Sequence, residues 1–86
     1  MDGLNGASAM TIIHGNRDQE ALFARLLQVT DRQLPGEYNC ALQGSGQHML
    51  VMLSNAKSGE EVWHYAGSPQ TILKEFQRWL GSQKPN

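Results

Sequence analysis

The chain of 86 residues predicts an α+β fold. Two helices pack on one face of a three- or four-stranded, mainly antiparallel sheet, in the order (β)-α-β-β-β-α. Three observations predict it. Two separated stretches carry apolar residues on a 3.6-residue period. Between them lie three stretches rich in residues that suit a half-buried pleated surface. Each helix would present one apolar stripe, and the sheet is the only large surface able to cover both.

The last helix is the most sharply marked. Ser68 can accept a hydrogen bond from the first turn, and Pro69 suits the first helical position, where an N–H would be unused. Ile72, Leu73, Phe76, Trp79 and Leu80 then form the stripe. Gly81 is expected to end the helix in a left-handed conformation.

The first helix is expected over residues 17–32. Asn16 and Gln19 have capping-box spacing, and Leu22, Phe23, Leu26, Leu27 and Thr30 trace its stripe. Asp18 and Glu20 near its start complement the helix dipole. Leu34-Pro35-Gly36 stops it.

Residues 37–43, 47–54 and 60–66 read as strands. The middle one is apolar on both faces, as a central strand is. Gly44-Ser45-Gly46 reads as a tight hairpin connection and residues 55–59 as a longer one. Residues 10–14 offer a further short strand. Residues 1–9 read as a flexible leader, 10–81 as one domain and 82–86 as a flexible tail.

Pairing Gln43 with Gln47 would put Tyr38, Cys40, Leu42, His48, Leu50 and Met52 on the face toward the helices. Met49, Val51 and Leu53 would then look outward with nothing to cover them. Opposing Leu53 with Val62 adds Trp63 and Tyr65 to the helix side and turns His64 away. A one-residue slip instead brings Trp63 to the outward face. Met49, Val51, Leu53 and Trp63 are therefore the candidate protein-interaction residues, because an uncovered apolar patch on a small domain marks a contact surface.

Other chemistries find little support. The seven basic and eight acidic residues give a net charge of -1, which excludes a strongly basic nucleic-acid binder. The order α-β-β-β-α is that of a double-stranded RNA-binding domain, but such domains read phosphates with a dense basic helix face. Here Lys74 and Arg78 are interleaved with Glu75. A single cysteine, Cys40, cannot form an internal disulfide. His14, His48 and His64 fall in no zinc-ligand spacing, and Cys40 has no activating neighbour. Gly44-Ser45-Gly46 lacks the context of a phosphate loop. No catalytic residue, cofactor or metal ligand is expected.

The longest apolar run, residues 49–53, is far too short to cross a bilayer. The expectation is a small cytoplasmic accessory or regulatory protein, not an enzyme, that binds another protein or a second copy of itself. The alternatives are a nucleic-acid-binding module, or a small enzyme or ligand-binding protein centred on one of the histidines.

Overall fold

The computed structural model describes residues 9–30 and 36–83. Six elements follow one another: β1 (Ala9–Ile13), α1 (Arg17–Thr30), β2 (Glu37–Ser45), β3 (His48–Asn55), β4 (Glu61–Gly67) and α2 (Pro69–Ser82). They form an α+β fold with a four-stranded sheet in spatial order β1-β2-β3-β4. The antiparallel meander β2-β3-β4 is as expected. β1 joins its edge parallel to β2, so the sheet is mixed rather than purely antiparallel. A parallel neighbour needs a long crossover, and α1 provides it. The leader expected over residues 1–9 lies outside the described residues except for Ala9, which opens β1. Of the tail, Ser82 belongs to α2 and Gln83 caps it, and residues 84–86 lie outside. The Leu34-Pro35 stop lies outside them too.

Each helix is built as its sequence dictates. Asn16 and Gln19 form the reciprocal capping box. The Gln19 amide donates to Asn16 Oδ1 at 2.9 Å, and the Asn16 amide donates to Gln19 Oε1 at 3.2 Å. Ser68 Oγ accepts from the Thr71 amide at 3.3 Å, with Pro69 at the first helical position. One expectation fails here. Gly81 is not left-handed: α2 runs through it to Ser82, and Gln83 closes the helix in a right-handed conformation.

Leu22 and Leu26 of α1 and Ile72, Phe76 and Leu80 of α2 bury against one face of the sheet, so both helices lie on the same side. The sheet residues beneath them are Cys40, Leu42, Met49, Val51 and Leu53. This corrects the expected hairpin register. Cys40 faces Leu53 and Leu42 faces Val51 across β2 and β3, where Leu50 was expected beside Cys40. The change is three residues, an odd number, so every side chain of β3 changes sides.

The cause lies in the glycines. Gly44 does not turn the chain but stays within β2 at a φ of +85°, and a Cβ there would run into the His48 carbonyl oxygen. The turn is made by Gly46 and Gln47 alone, with Gly46 at positive φ, as a two-residue hairpin loop with glycine first prefers.

Candidate functional site

The corrected register redraws the surface. Met49, Val51 and Leu53 are 3%, 1% and 1% exposed and form the centre of the core, so the outward patch expected there does not exist. Trp63, the fourth candidate, faces Leu53 and lies on the helix side, half-buried. Its ring stands 5.3 Å from Phe76 and 5.9 Å from Trp79, and Tyr65 stacks nearly parallel to it at 6.2 Å. Trp63 and Tyr65 thus reach the helix side as expected. They get there because the slip between β2 and β3 is matched by a one-residue change between β3 and β4.

Among the described residues, the opposite face is bare. Alternation along the paired strands puts Ile13, Ala41, Leu50, Met52 and Ala66 on it, with Asn39, Gln43, Ser54 and His64 between them. Among the described residues no helix packs there. Leu50 and Met52 occupy its centre and are each only half-buried by their neighbours. Among the described residues the two helices leave this side of the sheet uncovered, and its central occupants are Leu50 and Met52 rather than Met49, Val51 and Leu53. The sequence signal for them was present, since β3 is apolar at every position from Met49 to Leu53. Only the hairpin register decides which row faces out.

A bulge opposite Ser54 sets the rim of this face. Ser54 pairs with Glu61 and Leu53 with Trp63, which leaves Val62 as the extra residue, 38% exposed. The insertion brings Glu61 onto the side of His64, whose Nδ1 lies 2.6 Å from Glu61 Oε2. Both side chains are open to solvent, so the pair adds little stability.

The hairpin end of the sheet is held by α1. Gln19 is 6% exposed, and its Nε2 donates to the Gly44 carbonyl at 2.9 Å. Asp18 Oδ2 accepts from the Gly46 amide at 3.1 Å. Beside this clamp runs an open groove of about 280 Å³, bordered by Arg25, Gln47, Gln70 and Leu73.

The histidines and the cysteine are scattered. His14 turns at the end of β1 with a φ of +57°, and His48 starts β3 on the bare side, not on the face of Cys40 as the expected register had it. Cys40 is fully buried, and desolvation pushes its thiol up to about 12. Among the described residues no three His, Cys, Asp or Glu side chains converge to hold a metal ion, and no helix is long and apolar enough to cross a membrane. Comparison with known protein families, characterised proteins and solved structures finds no match to the chain.

Proposed function

We propose that the chain is a small non-catalytic interaction domain, an accessory or regulatory protein that binds another protein through the bare face of its sheet. The observation that carries this reading is the placement of both helices on one side while Leu50 and Met52 stand half-covered on the other. A strand packed on both sides reads as apolar throughout, whereas one packed on a single side alternates with polar residues. β3 has the two-sided composition and, among the described residues, only one cover. A partner covering Leu50 and Met52 would gain, for each, only the still-open fraction of the about 1.5–3 kcal/mol that full burial of such a side chain is worth. A cytoplasmic setting belongs to the same reading.

Nucleic acid is the rival class, supported by the α-β-β-β-α order. The charges argue against it: Arg78 lies 3.6 Å from Glu75 on α2, and Asp18 and Glu20 flank the start of α1. A phosphate-binding surface needs cations that are free to replace counterions.

The test is a photo-crosslinking residue placed at Met52 and, as a control, at Gln77 on the exposed side of α2, in cells. The expected result is a discrete protein adduct from position 52 and none from position 77. Adducts to nucleic acid, equal labelling from both positions, or no adduct from position 52 would each overturn the reading.

A further inference from the structure

The outer edge of β4 carries an inference that does not depend on the bare face. We propose that β4 pairs antiparallel with β4 of a second copy about a two-fold axis at His64, joining two four-stranded sheets into one of eight.

The first ground is the backbone. The two-residue loop at Gly46-Gln47 makes Ser45 and His48 a hydrogen-bonded pair, and hydrogen-bonding direction then alternates along β3. Odd-numbered residues of β3 therefore turn their amides and carbonyls toward β4. The Asn55 amide, which donates to the Glu60 carbonyl at 2.9 Å, agrees. So does the Ala56 amide, which turns the other way to Glu37. Trp63, Tyr65 and Gly67 face Leu53, Val51 and Met49, and so use their backbone groups inward. Those of His64 and Ala66 point outward, where the sheet has no further strand among the described residues.

The second ground is the side chains. Exposed edges are usually blunted by lysine, proline, inward-pointing charge or a bulge. The bulge at Val62 lies at one end of the edge; residues 63–66 carry none of these, and His64 is their only titratable side chain apart from Tyr65. The segment is also nearly palindromic: Val62 and Trp63 precede His64, and Tyr65 and Ala66 follow it. A two-fold axis at His64 sets Trp63 against Tyr65 of the other copy on the helix side. It sets Val62 against Ala66 of the other copy on the bare side.

Isologous contacts require such a self-complementary surface. The half-buried ring surfaces of Trp63 and Tyr65 gain matching aromatic neighbours, which are favourable cross-strand pairs. The two imidazoles meet across the axis, and each keeps its own Glu61 carboxylate. A second copy is favoured over an unrelated strand because the pattern is matched by its own reversal.

Sedimentation velocity on the full chain from about 10 µM to about 1 mM, the range that a modest interface titrates, provides the readout. The wild type is expected to show a concentration-dependent dimer. Ala66→Pro removes only an outward N–H, which edge strands tolerate, and is expected to weaken the dimer at least about tenfold, the effect of roughly 1.4 kcal/mol. Because Val62 and Ala66 are both exposed, charge can be placed there without unfolding the domain. Val62→Lys with Ala66→Lys opposes like charges in the proposed register and is expected to abolish the dimer. Val62→Lys with Ala66→Glu opposes unlike charges and is expected to retain it. A wild type that stays monomeric to about 1 mM, or a dimer indifferent to the double-lysine change, would overturn the proposal. So would a dimer lost on Met52→Asp while Ala66→Pro leaves it intact, which would assign self-association to the bare face instead.

Discussion

Gln19 ties the start of α1 to the tip of the β2–β3 hairpin. Its main-chain amide and side-chain oxygen complete the cap of α1, and its side-chain nitrogen reaches 25 residues along the chain to the Gly44 carbonyl. Replacing a cap partner costs about 1 kcal/mol, and losing the hydrogen bond to the exposed Gly44 carbonyl, which water can then reach, costs about 0.5–1.5 kcal/mol more. Gln19→Ala is therefore expected to lower stability by about 1.5–2.5 kcal/mol, read as a reduced midpoint in urea with little change in slope. The capping role was legible from the spacing of Asn16 and Gln19. The reach to Gly44 was not, because a contact across that many residues has no local signature.

At the scale of elements, the helices were legible because each is one-sided. Leu22 and Leu26 on α1, and Ile72, Phe76 and Leu80 on α2, leave no choice of which stripe to bury. Their ends were less so. Gly81 resembles a stop signal, but α2 continues through it with a right-handed backbone. A Cβ at Gly81 would meet nothing within 4 Å. Gly81→Ala is accordingly expected to raise stability by about 0.5–1 kcal/mol, the cost of glycine inside a helix. Thermal unfolding followed by circular dichroism checks it, and a lower midpoint would mean that the residue needs the left-handed conformation after all.

At the scale of the molecule, one odd shift in the β2–β3 pairing separates the face expected to be exposed from the one that is. Val51→Asp and Met52→Asp, adjacent in sequence, should therefore behave oppositely. The first buries a carboxylate in a core of Leu42, Leu53 and Phe76, a cost on the order of the whole stability of a domain this size. It is expected to unfold the chain. The second places its charge on the bare face and is expected to preserve a dispersed amide spectrum. The reverse outcome would restore the other register. Hydrophobicity could not have chosen between the two, because Met49 to Leu53 is apolar on both rows, and Gly44-Ser45-Gly46 accommodates more than one turn. The native row goes with the positive-φ glycines Gly44 and Gly46, and Gln19 and Asp18 hold those same residues. The hairpin tip and the start of α1 thus act as one corner of the molecule, so a change to either is expected to be felt by the other.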